Sequence, residues 1–253
     1  MRLFVFAAAL VMGGSSALGD VGRVVAVGDE WPLSDEAFAS IGADASALTV
    51  NLGAFLVGGV GDVAVFSNHP RLGGGSQGTQ FRDTLLAQGH TFVRNPVEGY
   101  SLATLQQYDA VVVGGRLGDG SFPDSSILTQ YVNAGGNVLL IAGTGAFSNA
   151  AGEAGQWDPF LNQFGIDLSG DEFMPTTLRV DLGMDPSAHP LGANVGNIHW
   201  GYGQLVSAPI TLTADFTAYS GWGHEVVIGA SVPGPGGVIA LVGLCAMRAR
   251  RRW

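Results

Sequence analysis

The residues best suited to move protons near neutral pH are five histidines: His69, His90, His189, His199 and His224. None forms an H-x-x-x-H or H-E-x-x-H pair, so the helical zinc pattern is missing. His69 follows an apolar run over 62–67 that reads as a strand. It therefore falls at a strand's C-terminal end, where open parallel sheets bind ligands. Thr144 stands between Gly143 and Gly145 after another apolar run. It is the nearest mimic of a nucleophile elbow, and no G-x-S-x-G occurs. With His199 or His224 as base, its hydroxyl would be a nucleophile, although threonine needs strong activation for that role. A tight turn above the sheet uses the same residues. If topology brings His69, Thr144 and His199 into one crevice, they make a hydrolase site, for carbohydrate among other substrates. Otherwise the histidines cap loops and satisfy backbone groups.

Gly73, Gly75 and Gly78 spell G-x-G-x-x-G before an expected helix, and Glu98 lies 20 residues past Gly78. In a dinucleotide site such glycines let pyrophosphate approach a helix N-terminus. Here Asn68 to Leu72 separate the strand from the first glycine, and a plain glycine-rich loop is the favoured reading. Asp171, Glu172, Asp181 and Asp185 could offer oxygens to calcium, but without the spacing of a calcium loop. They read as a solvated acidic face. Trp157, Trp200, Tyr202, Tyr219 and Trp222 crowd the later half, several among glycines. Exposed, they would stack on sugars; buried, they are core. No cofactor and no metal is expected.

The elements that must position these residues follow from hydrophobic periodicity. Val24 to Val27 suit a short strand, and Ser34 suits an N-cap for a helix beginning near Asp35. Leu48, Leu52, Phe55 and Leu56 form a helical stripe ended by Gly58 and Gly59. From residue 62 strands and helices alternate. Strands are expected over 62–67, 90–94, 109–113 and 137–142, with weaker ones over 177–182 and 224–228. Helices are expected over 79–88 (Phe81, Leu85 and Leu86 inward), 102–107, 125–134 and 157–164. Continuous apolar strands between helices imply a mostly parallel sheet covered on both faces. The expected fold class is α/β, a three-layer flavodoxin-like arrangement, with an additional C-terminal hydrophobic helix.

The chain of 253 residues has 47% hydrophobic residues, enough for one core, but only 13% charged residues. Its arginines cluster at the ends. Without residues 1–19 and 232–253, six arginines face all 21 acids, a net charge of about −15. Such a surface repels phosphate backbones, so nucleic acid is not an expected partner. Cys245, the one cysteine, lies in the hydrophobic tail, so no internal disulfide can form.

Both ends read as addresses. Arg2, an apolar run over 3–12, and small residues with Ala17 and Gly19 at the spacing signal peptidase prefers make 1–19 a secretory signal cleaved after Gly19. At the other end, Val232-Pro233-Gly234-Pro235 precedes an apolar stretch over 236–247 and the cluster Arg248, Arg250, Arg251 and Arg252. This resembles the PEP-CTERM sorting tail handled by exosortase-type enzymes, with Gly234 where that family usually has glutamate. The resemblance implies export through the secretion machinery, transit in the inner membrane through the C-terminal helix, and delivery to the cell envelope or the medium. Arginines after an apolar helix hold that end in the cytoplasm, and the stretch is short for a permanent span. A plain C-terminal anchor is the alternative.

Between the ends, Tyr-Asp-Ala-Val-Val-Val-Gly-Gly (108–115) and Ala-Gly-Gly-Asn-Val-Leu-Leu-Ile-Ala-Gly (134–143), set in a strand–helix alternation, resemble the class I glutamine amidotransferase-like superfamily over roughly 62–230. In those enzymes a cysteine occupies the turn matched here by Ala142-Gly143-Thr144-Gly145, which has none. The amidotransferase reaction is therefore not expected. The organisation expected is a signal peptide (1–19), a leader (20–61), the α/β domain (62–231) and the sorting tail (232–253). The expected function is binding or structure at the cell surface or extracellular matrix, with an extracellular polysaccharide as the partner such tails suggest. A carbohydrate-active or other hydrolase is the alternative.

Overall fold

Val24–Val27 is β-branched or small and apolar throughout, the composition of a strand covered on both faces. It forms β1, which lies third in a seven-stranded sheet of order β10-β11-β1-β5-β4-β2-β3. The structure, a computed structural model, describes residues 21–75, 77–172, 179–185, 189–220 and 223–232. The other strands of this sheet are β2 (Asp62–Phe66), β3 (Thr91–Arg94), β4 (Ala110–Val113), β5 (Asn137–Ile141), β10 (Ile210–Asp215) and β11 (His224–Ser231). β1, β5, β4, β2 and β3 run parallel. β11 is antiparallel to β1, and β10 is antiparallel to β11.

Helices cover the parallel part on both faces. Val25, Val27, Val63, Val65, Leu139 and Ile141 point to one face, under α1 (Asp35–Val57) and α2 (Thr79–Ala87). Their alternate neighbours Val24, Ala26, Ala64, Val111, Val138 and Leu140 point to the other. That face lies under α3 (Leu102–Leu105), α4 (Ser125–Asn133) and α5 (Ala150–Leu161). The period-2 split of each apolar strand therefore builds two cores from one sheet. At the antiparallel end, two-stranded ribbons replace helices. β7 (Val180–Gly183) and β8 (Asn197–Trp200) cover the α1 face through Leu182, Ile198 and Trp200. β6 (Asp167–Glu172) and β9 (Gln204–Ser207) cover the α5 face through Leu168 and Val206. A short helix α6 (Thr217–Ser220) joins β10 to β11.

α1 begins as its residues dictate. The Ser34 hydroxyl accepts from the Ala37 amide at 3.1 Å, and Asp35 and Glu36 sit in the first turn, favourable to the helix dipole. Gly58, at φ 74°, closes it in the left-handed conformation. Among the described helices, α1 alone is long and apolar enough to cross a membrane. Here it buries Leu48, Leu52 and Leu56 against the sheet.

The boundary expected at residue 61 does not separate two packing units. The segment treated as a leader supplies a strand inside the sheet and the longest of the described helices, because Val24–Val27 is as apolar as the strands that follow. Leu86 is half exposed rather than inward, since Phe81 and Leu85, four apart, already define the inner face of a nine-residue helix. Phe55 is only partly buried, edge-on to His189. The helix expected over 157–164 starts at Ala150 and ends in a short 3-10 turn, Asn162–Phe164. The signal residues Ala17 and Gly19 lie outside the described residues, as do Pro233, Pro235, Arg248, Arg250, Arg251, Arg252, Cys245 and the expected C-terminal helix. Val232 is described and exposed.

Candidate functional site

β1 and β5 are neighbours, and their chains leave the sheet side by side as Gly28-Asp29-Glu30-Trp31 and Ala142-Gly143-Thr144-Gly145. The two exits approach each other closely. A Cβ on Gly143, at φ 72°, would meet the Asp29 Cα at 3.0 Å; one on Gly28 would lie 1.9 Å from the Gln204 carbonyl oxygen. Glycine is therefore needed at both positions, and the crowding brings Asp29, Glu30, Glu153 and Gln204 together at one end of the sheet. All four are buried.

Glu153 lies in the first turn of α5, whose N-cap Asn149 accepts from the Gly152 amide at 2.7 Å. Its Oε2 accepts from the Gly143 amide at 2.7 Å and from Gln204 Nε2 at 2.8 Å. Its Oε1 accepts from the Thr144 hydroxyl at 2.9 Å. Burial raises its pKa, and these hydrogen bonds oppose the rise. One carboxylate thus pins the turn after β5 to the ribbon β6–β9.

Asp29 and Glu30 form a coupled pair. Asp29 Oδ2 accepts from the Gly201 amide at 2.5 Å. Glu30 Oε1 accepts from Arg71 at 3.0 Å, while Glu30 Oε2 is buried without a donor. Burial raises both pKa values, and the charge of Asp29 raises that of Glu30 further, with Arg71 opposing. A proton held by Glu30 and donated to Asp29 satisfies the orphaned oxygen and removes one of two adjacent buried charges. The pair therefore titrates as a unit, with one carboxyl kept protonated above the usual range.

Trp31 carries two cations. The guanidinium carbons of Arg71 and Arg179 lie 3.5 and 3.9 Å from its ring centroid. Arg179 also reaches Glu36 at 3.2 Å. Above the carboxylates opens a cleft of about 390 Å³ lined by Glu30, Trp31, Thr144, Phe147, Ser148, Asn149, Glu153, Glu172, Tyr202 and Gln204 among others. Tyr202 is 38% exposed, and Gln204 Oε1 is buried without a partner.

The three residues expected to converge are divided. Thr144 lines the cleft; neither His69 nor His199 does. His199 is buried on β8, on the α1 side, with Nδ1 2.7 Å from Asp181 Oδ1 and its ring edge-on to Trp31. His69 follows β2, where its carbonyl accepts from Arg94 at 3.1 Å and its Nδ1 is buried without a partner. Burial, then the charges of Arg71 and Arg94, push its pKa down to about 4, so it is neutral at pH 7. The base that reaches the Thr144 hydroxyl is Glu153. Asp29, Glu30, Glu153 and Gln204 escaped the sequence reading; the acid pair directly after an apolar strand was the available signal. His224 pairs with Asp185 at 3.1 Å, on the exposed surface.

Gly73, Gly75 and Gly78 form a folded loop rather than a pyrophosphate cradle at the end of a strand. A Cβ on Gly78 would lie 2.3 Å from the Arg71 carbonyl oxygen, so the loop packs on itself there. Asp181 is engaged with Ser40 and His199, and among the described residues no group of three or more His, Cys, Asp or Glu side chains is placed to hold a metal. Trp157 and Trp200 are core, so of the later aromatics whose side chains are described it is Tyr202 that reaches the cleft.

No family model matches the chain, and no curated protein or solved structure matches it.

Proposed function

We propose that this is an exported, envelope-sorted binding protein whose domain holds a polyhydroxylated ligand, a glycan of the cell surface or matrix, in the cleft after β1 and β5. The observation that carries the binding reading is the make-up of that cleft. Hydrogen-bonding side chains fixed by burial stand beside the partly exposed Tyr202. Sugars present hydroxyl donors on their rims and apolar C–H faces, which such a surface complements. The export reading rests on the two ends of the sequence. The domain is read as a flavodoxin-like, class I amidotransferase-like unit whose matching turn, Ala142-Gly143-Thr144-Gly145, has no nucleophilic cysteine.

Two measurements test this. Intact masses from fractions of the native host are expected to show a mature form starting near Asp20 and ending before Arg248; a full-length cytoplasmic form refutes export. Titration of the purified protein with neutral oligosaccharides is expected to show binding that Tyr202→Ala weakens about tenfold, the value of one aromatic contact. Unchanged affinity in that variant refutes the cleft assignment.

One contact favours a second reading, hydrolysis. The Thr144 hydroxyl donates to the Glu153 carboxylate at 2.9 Å, so a base is in place for that hydroxyl. Thr144→Val removes the hydroxyl and keeps the shape. If the protein releases reducing ends from a bound glycan and the variant does not, the site is catalytic. If both bind and neither cleaves, binding is its whole role.

A further inference from the structure

A second cavity, of about 580 Å³, lies beside the cleft just considered. Its walls include Phe66, Asn95, Val97, Tyr100, Asp119 and Phe122. It sits between β2 and β4, parallel neighbours where the strand order reverses. The connection from β2 runs through α2 on one face to the edge strand β3. The connection from β4 runs through α4 on the other face toward β5. The carboxyl ends of strands at such a reversal leave a crevice, and ligands of open α/β sheets bind there.

This crevice and the cleft share a wall. Phe122 lines the first and Phe147 the second. Their rings stack with centroids 4.9 Å apart and planes 25° apart. That separation exceeds direct face-to-face contact, so the rings are offset, and Phe122 remains 45% exposed with Arg116 3.9 Å over its ring. Val97, at the far rim, is 97% exposed. β2, β4, β5 and β1 are consecutive in the sheet. At the usual strand spacing their ends span on the order of 15 Å. That is longer than one sugar ring and comparable to a short oligosaccharide.

We infer that crevice and cleft form one groove for a linear, uncharged glycan chain, with the Phe122–Phe147 stack as the apolar ridge between two sets of subsites. Carboxylates stand at both ends, Asp119 and Asp124 at one and Glu172 at the other. A uronate-rich or sulfated chain would be repelled, whereas hydroxyl groups donate to carboxylates without a charge penalty. The inference rests on the glycan-binding reading of the cleft and extends it to a polymer read at several residues.

The test is calorimetric titration of the purified protein with β-1,4-linked glucose and N-acetylglucosamine oligomers of one to six units. A hexa-uronate and a hexa-arginine peptide serve as controls. Affinity is expected to rise at least tenfold from disaccharide to hexasaccharide in one neutral series. Phe122→Ala is expected to remove that rise while leaving the disaccharide's affinity in place. Val97→Asp, a change at a fully open position that leaves folding intact, is expected to weaken the hexasaccharide alone. If disaccharide and hexasaccharide bind equally and both variants are silent, the groove is refuted and the cleft reading stands. If no neutral sugar binds, both fall. Tighter binding of the hexa-uronate or of the hexa-arginine peptide overturns the uncharged-glycan assignment.

Discussion

Acidification will weaken the fold through His69, and the size of the effect follows from where the ring sits. Its Nδ1 is buried without a partner, and Arg71 and Arg94 lie close enough to disfavour a positive charge. The folded-state pKa of about 4 stands below the unfolded value of 6.5. Between those two pH values the unfolded chain binds more protons at this residue, so folding stability falls as pH drops from 6.5 toward 4. Two and a half pH units correspond to about 3 kcal/mol at this site; the ring's remaining solvent contact reduces the expected effect to about 2 kcal/mol. His69→Leu keeps comparable volume, removes the titration and deletes an unsatisfied polar atom, so it should be nearly neutral at pH 7. The assay is urea unfolding of both proteins at half-unit steps from pH 7.5 to 4. Asp29, Glu30 and Glu153 have raised pKa values, and their contribution is lost as pH rises, the opposite sign, so the informative quantity is the variant minus the parent. That difference should grow by about 2 kcal/mol in the variant's favour on acidification. Parallel pH curves, or a His69 resonance titrating near 6.5, refute the reasoning.

Other outcomes follow from the same geometry. Glu153→Gln puts an amide among three donors, from Gly143, Thr144 and Gln204, and should cost about 1–3 kcal/mol in urea unfolding. Gly78→Ala would force a methyl onto backbone atoms of Arg71 and Gly73 and should lower stability by about 2 kcal/mol or more. Gly155→Ala, on the open face of α5 with nothing near its Cβ, should raise it by about 0.5–1 kcal/mol. Thermal melts of the two glycine variants should therefore move in opposite directions.

The parallel half of the fold was legible because its strands are uninterrupted apolar runs. Val-Ala-Val-Phe, Ala-Val-Val-Val and Val-Leu-Leu-Ile each feed both cores, and no polar residue intervenes. The antiparallel end was harder to read. β6 spells Asp-Leu-Ser-Gly-Asp-Glu, with one apolar residue, because it covers the sheet with Leu168 alone. β10 alternates Ile-Thr-Leu-Thr-Ala-Asp, a period-2 pattern hidden by its polar half. The start of α5 was masked by Gly152 and Gly155, poor helix formers held by the Asn149 cap. At the site, the glycines around Thr144 announced a turn. Its partner could not be read, since Glu153 meets it by folding back over one helical turn. Asp29 and Glu30 belong to a residue class that is usually exposed; their burial depends on the connection between β8 and β9 closing over them, where the Gly201 amide donates to Asp29.

β1 pairs with β5 on one side and with β11 on the other, and β11 ends at Ser231, two residues before Pro233. The first strand is thus completed by the last, across some 200 residues of chain. Closing so long a loop is slow, and until it happens one edge of β1 stands open to any other extended chain. A polypeptide emerging N-terminus first cannot finish this sheet until β11 is out. In the export proposed above, such late closure would keep the chain unfolded while it crosses. It also makes β11 the latch of the described sheet: a truncation inside β11 should leave an aggregating, open-edged intermediate rather than a slightly shorter domain.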